Sequence, residues 1–460
     1  NGIRGGSATV NFPFWHYEAE DMLVLKNNSG TDDNRVRKLD YCIQFSEMFY
    51  KRFLKNENIT LFSPNEAKDL YDAFGHEDFD ELYEKYERKT SLKFKKVVSA
   101  RKLMSLFIKE RVETGRIYFM NIDHCNQKSA WDDDIKMTNL CVEVLHPTKP
   151  LQHIDDKDAE IGICILSAIN VLEINSDPEM EKVCDVIVRI LDQLIDYQDY
   201  FMPAAENFTK NRRSLGIGIT NFAAYLAKKG VKYDDDEAPN VSDELMEKVQ
   251  YYLLSSSNNL AQEKGKCNKF HKTKYSQGWL PIDTYKKEID EYVTRKHTMD
   301  WEGLRKRIKE HGLRHSTVSA IMPCESSSVI QCSTNGIEPI RSYITYKKSK
   351  ARTLPVIVPN YVGYKNKYTL AYEMEDNEGL IKIVAALQKW VDMSISANMY
   401  YNYAHYEKGA LPDSKVIKEI LLAYKLGWRT GYYNNTDDGD KQSIGEEEVK
   451  DNCESGACAL

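Results

Sequence analysis

Residues 116–121, Arg116-Ile117-Tyr118-Phe119-Met120-Asn121, form a short run with an apolar centre that reads as a buried strand. It follows a stretch at 81–113 in which apolar residues recur at three and four, the spacing of a helix. Upstream, 40–56 reads as another helix, and Ala8-Thr9-Val10-Asn11-Phe12 as an extended segment leaving a glycine-rich loop. Downstream, 161–166 is a second buried strand, and Val183, Ile187, Ile190, Leu191 and Leu194 form one apolar helical stripe. Helices follow at 215–228, closed by Gly230, and at 245–262, with a cap at Ser242. A strand at 318–322 is stopped by Pro323. Helices at 380–399 and 416–426 (the latter ended by Gly427) precede a final strand at 428–433. Strands alternating with helices predict an α/β architecture. From Asn434 the periodicity stops and acidic residues dominate, so the chain divides into a folded unit, 1–433, and a flexible tail, 434–460.

Composition excludes several classes of protein. The chain has 460 residues, 29% charged and 42% hydrophobic, which is ordinary for a globular protein. Its net charge of −7 and interspersed Lys and Arg argue against general nucleic-acid binding. No apolar window reaches the roughly 18 residues of a membrane span, and the first residues have no apolar signal-peptide core. Ten cysteines in a chain too large to need staples fit thiols in a reducing, cytoplasmic compartment.

Four constellations carry chemistry. The tail ends Cys453-Glu454-Ser455-Gly456-Ala457-Cys458-Ala459-Leu460, two cysteines on a polar arm. Such an arm suits a thiol–disulfide shuttle. Half of a zinc site or two incidental thiols are the alternatives, although zinc would want two further ligands that the tail lacks. Asn139-Leu140-Cys141-Val142-Glu143 follows a long loop at 124–139. If extended, it puts an amide, a thiol and a carboxylate on one face: groups able to orient a hydroxyl, react, and take a proton. An ordinary strand with one polar face is the plainer account of so short a motif. Pro323-Cys324-Glu325-Ser326-Ser327-Ser328 reads either as a phosphate-binding turn into a helix or as a simple helix cap. Tyr432-Tyr433 could pass an electron and a proton, or could be core packing in a chain with 29 tyrosines. His124-Cys125 has no further metal ligands nearby, and Asn335-Gly336-Ile337-Glu338-Pro339 is a turn without a chemistry of its own.

Taken in order along the chain, these segments resemble the large, catalytic subunit of class Ia ribonucleotide reductase. The strings that carry the resemblance include Arg4-Gly5-Gly6-Ser7-Ala8-Thr9, Leu61-Phe62-Ser63-Pro64, Thr114-Gly115-Arg116-Ile117-Tyr118 and Asn139-Leu140-Cys141-Val142-Glu143. Arg212-Arg213-Ser214-Leu215-Gly216-Ile217-Gly218, Asn335-Gly336-Ile337-Glu338-Pro339, Tyr432-Tyr433 and the Cys453/Cys458 tail complete the set. The resemblance implies the C-terminal part of a ten-stranded α/β barrel with a central finger loop bearing Cys141. It implies that Cys141 becomes a thiyl radical, Glu143 takes a proton from the 3′-hydroxyl and Asn139 hydrogen-bonds the substrate. Cys164 matches one of two reducing cysteines, Cys453 and Cys458 the arm that re-reduces them, and Tyr432 and Tyr433 the radical relay. Glu325, Ser326, Ser327 and Ser328 match the cradle for the diphosphate of a ribonucleoside diphosphate. Cys324 stands where relatives commonly have Ser.

No bound cofactor or metal is implied for this chain. A diiron-tyrosyl small subunit would supply the radical, and thioredoxin or glutaredoxin the electrons. The family's N-terminal part, with the barrel's first strands, nucleotide-effector sites and the partner cysteine of Cys164, is not matched by these residues. The expectation is a divided large subunit completed by an N-terminal polypeptide, with no nucleic-acid or membrane partner. Other readings are a non-catalytic regulatory fragment, a stand-alone thiol oxidoreductase, and a glycyl-radical relative, which the tail and the tyrosine pair disfavour.

Overall fold

In a computed structural model, which describes residues 6–348 and 353–439, the apolar run at 116–121 forms a strand buried at every position. Numbered in chain order, the strands are β1 (Thr9–Pro13), β2 (Asp40–Phe45), β3 (Asn58–Phe62), β4 (Lys95–Ser99), β5 (Ile117–Asn121) and β6 (Leu166–Asn170). They continue with β7 (Gly216–Thr220), β8 (Ile344–Lys348), β9 (Thr353–Ile357), β10 (Met399–Asn402), β11 (Thr430–Gly431) and β12 (Asn434–Asp437). β1, β2 and β5 run parallel, with Thr9 opposite Asp40 and Tyr41 opposite Ile117. β2, β5 and β7 are buried throughout, the signature of parallel strands covered on both faces.

A second parallel set begins with β6 and β7 and extends through single bridges, Ile217 to Ser319 and Ile321 to Ile395. The two sets meet at β11, which runs antiparallel to β5. Just beyond it, the Tyr432 N–H donates to the Ala397 carbonyl (2.8 Å). The described residues thus form a mixed α/β fold but not a closed ten-stranded barrel, because β1 and β6 each pair on one side only. Close approach of neighbours explains two glycines of β7. A Cβ on Gly216 would lie 2.6 Å from a Leu166 methyl, and one on Gly218 would lie 2.7 Å from the Ala320 carbonyl.

Several elements differ from their sequence reading. The 40–56 stretch is β2 followed by a helix, Glu47–Leu54, and 81–113 divides into Phe79–Arg88, β4 and Ala100–Thr114. The 215–228 stretch is β7 and then a helix, Phe222–Lys229, entered through Asn221 in the left-handed region (φ +67°). The second strand lies at 166–170 rather than 161–166, and only Ile169 of it is buried. Ser242 is no cap: it lies inside the helix Ala238–Lys264, with its hydroxyl donating to the Ala238 carbonyl. The 124–139 loop begins inside a helix, Ile122–Lys128. The 318–322 and 428–433 stretches are mostly extended chain held by bridges. β12 begins at Asn434, where a polar tail was expected, and pairs with β10.

In the helix Asp177–Tyr197 the buried face is Met180, Cys184, Val188, Leu191 and Ile195. Ile190 and Leu194, read above as part of one apolar stripe, are 60% and 41% exposed; Val186 and Tyr197 of the same helix and Phe201 beyond its end are exposed too.

The Arg212-Arg213-Ser214 string is an anchoring device. Arg212 pairs with Glu160 and Asp133, and Arg213 with Asp192 and Asp196. Ser214 bonds His146 and Thr317. Asp192 is fully buried and also meets Lys264, Arg314 and His315, and these partners hold its carboxyl well below the usual range despite burial. Replacing Asp192 by Ala would leave buried cations without their counter-charge, and is expected to cost about 3–5 kcal/mol, read as a lowered denaturation midpoint.

Candidate active site

Asn139 to Val144 is a tight loop, not the extended strand that would align 139, 141 and 143. The Thr138–Leu145 bridge closes it, the Asn139 N–H donates to the Val144 carbonyl (3.3 Å), and Val142 sits at φ +63°. That conformation is costly for a β-branched residue, on the order of 1–3 kcal/mol. Surrounding strands hold it in place. Thr9 Oγ1 donates to the Leu140 carbonyl (2.8 Å) and Thr430 Oγ1 to the Val142 carbonyl (3.0 Å). The Ser394 N–H donates to the Glu143 carbonyl (2.9 Å).

Ser396 has the most direct contacts. Its hydroxyl lies within hydrogen-bonding distance of two acceptors, the Cys141 carbonyl and Glu143 Oε2 (3.0 Å), and its one proton is shared between them. Glu143 is buried, and desolvation raises its pKa, opposed by hydrogen bonds from Asn139 and Ser396. The Asn139 side chain also favours the thiolate of Cys164, and its Oδ1 accepts from the Val144 N–H (3.0 Å). The Cys164 residue is open to solvent, yet enough protein surrounds the sulfur to push the thiol up to about 12, with Glu143 adding to the shift.

On the other side, the Tyr432 hydroxyl lies 3.4 Å from Cys141 Sγ. The Tyr432 and Tyr433 rings stack at 3.9 Å between centroids, and Tyr118 packs 4.8 Å from Tyr432. The Arg116 guanidinium is 5.0 Å from the Tyr433 ring, a cation–π distance. Buried Arg111 donates to the Tyr432 carbonyl (2.7 Å) and pins the segment. Asn139, Cys141, Glu143, Cys164, Tyr432 and Tyr433 therefore converge on one place. The thiol has a hydrogen-bonded phenol on one side and a base-capable carboxyl in the same loop.

Glu325 to Ser328 lie a few residues beyond Ile321, whose N–H donates to the Ser394 carbonyl. The helix there, Ser327–Ile330, is one turn long. Asn335 accepts from the Cys324 N–H (2.7 Å) and donates to Glu325 (2.8 Å). Cys324 is buried, and burial pushes its thiol up to about 11, which shields it from oxidation. Cys453 and Cys458 lie outside the described residues. His124 is buried, bonded to the Trp428 carbonyl and pushed down to about 4 by desolvation. Among the described residues no group of His, Cys, Asp and Glu is arranged to hold a metal, and no helix is long and apolar enough to cross a membrane.

Sequence reasoning missed Ser396, placing it inside a helix. The alternation Asp392-Met393-Ser394-Ile395-Ser396-Ala397-Asn398 was the available signal: a period of two, with the polar line buried. Ser396→Ala removes a hydrogen bond that favours the charged form of Glu143, so the carboxyl pKa rises further. If Glu143 serves as a base, it works only when ionised, so the acid limb of a pH–rate profile moves to higher pH. Activity at the low-pH end is expected to fall about tenfold, with the plateau less affected.

Residues 1–364 and 363–434 match the family model described as ribonucleotide reductase, barrel domain. The chain belongs to that family. Over its whole length it is 47% identical to the ribonucleoside-diphosphate reductase subunit alpha of Haemophilus influenzae and 48% identical to subunit alpha of reductase 1 from Escherichia coli K12. It is 40% identical to subunit alpha of enterobacteria phage T4. In each case it spans 61% of the relative's length.

Proposed function

We propose that this chain carries the catalytic centre of a class Ia ribonucleoside-diphosphate reductase, converting ribonucleoside diphosphates to 2′-deoxyribonucleoside diphosphates. The observation that carries the reading is the Tyr432 hydroxyl at 3.4 Å from Cys141 Sγ, with Glu143 in the same loop. A diiron-tyrosyl small subunit supplies the oxidising equivalent. Tyr433 and Tyr432 pass it inward, and oxidised Tyr432 takes the hydrogen atom of the Cys141 thiol, leaving a thiyl radical. Cys141 then abstracts the 3′-hydrogen of the ribose while Glu143 accepts the 3′-hydroxyl proton and Asn139 holds that hydroxyl. The 2′-hydroxyl leaves as water. Cys164 and a second cysteine supply two electrons and two protons, one of which leaves in the water, and become a disulfide. Glu143 returns its proton to the 3′-oxygen and Cys141 returns its hydrogen atom to C3′, which restores the thiyl radical. Cys453 and Cys458 re-reduce the disulfide at the expense of thioredoxin or glutaredoxin.

Glu325, Ser326, Ser327 and Ser328 seat the diphosphate. The remaining strands of a ten-stranded barrel, with Cys141 at the tip of its central finger loop, belong beside the open edges of β1 and β6. The N-terminal portion of the subunit, in the same or a separate polypeptide, supplies them together with the effector sites and the second cysteine. The exposed row Val186, Ile190, Tyr197 and Phe201 fits a protein that works inside a larger assembly. The reaction takes place in the cytoplasm.

The test is a single-turnover burst. The assembled, pre-reduced enzyme without external reductant should form deoxynucleotide and lose two thiols per product. With Cys164→Ser no burst should form. A full burst from that variant would remove Cys164 from the chemistry.

A further inference from the structure

We propose that Asn335 is a positioning residue for the substrate's diphosphate, acting through Cys324 and Glu325. The inference rests on the reductase reading above and assigns a role to the Asn335–Pro339 turn, which has no reactive group of its own. Both ends of the Asn335 amide are committed to the cradle: Oδ1 accepts from the Cys324 N–H (2.7 Å) and Nδ2 donates to Glu325 Oε1 (2.8 Å). The amide accepts from a backbone N–H and donates to a carboxylate at once. Asp lacks the donor, and Ala lacks both.

The turn is fixed from the opposite side, so it can act as a reference point. Asn221 Oδ1 accepts from the Thr334 N–H (3.0 Å), and the Asn221 N–H and Thr220 Oγ1 both donate to the Thr334 carbonyl (3.0 Å each). The Phe222 N–H donates to the Gly336 carbonyl (3.3 Å), and the Tyr233 hydroxyl to that of Ile337 (2.8 Å). Gly336 has φ +47°, and a Cβ there would sit 3.3 Å from the Met322 carbonyl, so the turn lies directly against the chain entering the cradle. Asn335 thereby ties Cys324 and Glu325 to the end of β7.

The test is steady-state reduction of cytidine diphosphate by the assembled enzyme carrying Asn335→Ala or Asn335→Asp. Asn335→Ala is expected to raise KM about tenfold, the loss of a hydrogen bond to a charged group. With the relay untouched, kcat should stay within about twofold. Asn335→Asp keeps the shape and the acceptor but sets a carboxylate against Glu325, so KM should rise further. Being isosteric, it decides the matter if the alanine variant fails to fold. An unchanged KM in the folded variants, or a fall in kcat alone, overturns the proposal. If the wild-type assembly neither binds nor reduces cytidine diphosphate, the reductase reading fails and this inference falls with it. Wild-type turnover with unshifted variants defeats the inference alone.

Discussion

Cys141→Ser should leave a folded chain that reduces no ribonucleotide. Serine is nearly the size of cysteine, and the position is 8% exposed in a loop held by backbone hydrogen bonds, so the fold should lose little. The chemistry should be lost completely. An O–H bond is much stronger than an S–H bond, so oxidised Tyr432 cannot draw a hydrogen atom from serine. No thiyl radical then forms to attack the 3′ position. The expected loss is at least about 10⁴-fold, the scale seen when the reacting group itself is removed. It is measured as deoxynucleotide formed by the assembled enzyme, with small-subunit binding as the control for folding. Residual turnover within tenfold of wild type would place the radical elsewhere. A regulatory fragment, by contrast, would keep its effect in this variant.

Tyr432→Phe isolates one atom. The ring keeps its stack on Tyr433 at 3.9 Å and its contact with Tyr118 at 4.8 Å. Only the hydroxyl 3.4 Å from Cys141 Sγ is lost. A hydrogen bond of this kind is worth about 1 kcal/mol in stability, so folding and subunit association should survive. Turnover should not, because phenylalanine has no proton to exchange with the thiol and is far harder to oxidise. We expect a loss of about 10³-fold or more, beyond what removal of an ordinary acid–base group costs at the middle of its range. Activity near wild type would make the tyrosine pair a packing feature, which was the competing reading of Tyr432-Tyr433.

The α/β class was legible from 116–121 and its alternation with helical stretches, and those residues form the central buried strand β5. Boundaries were less legible where a strand buried on both faces runs straight into a helix. Both β2 with Glu47–Leu54 and β7 with Phe222–Lys229 read as single helices, because the strand's apolar residues continue without a turn signal into those of the helix. Local reading put amide, thiol and carboxyl on one extended face. The structure brings them together through a turn with a strained Val142, a conformation that propensity argues against and tertiary contacts impose. Neither Ser396 nor Asn335 could be found from reactivity, since each contacts its partners across ten or more positions of chain. The cysteine tail was the easiest feature to read, and it lies beyond the described residues.

The most direct test of the central claim is conversion of cytidine diphosphate to its 2′-deoxy form by this chain, isolated natively with whatever large-subunit portion accompanies it and supplied with small subunit and dithiol. The account predicts turnover that requires both the small subunit and the dithiol. Absence of turnover from an assembly that contains every part of the large subunit would contradict it.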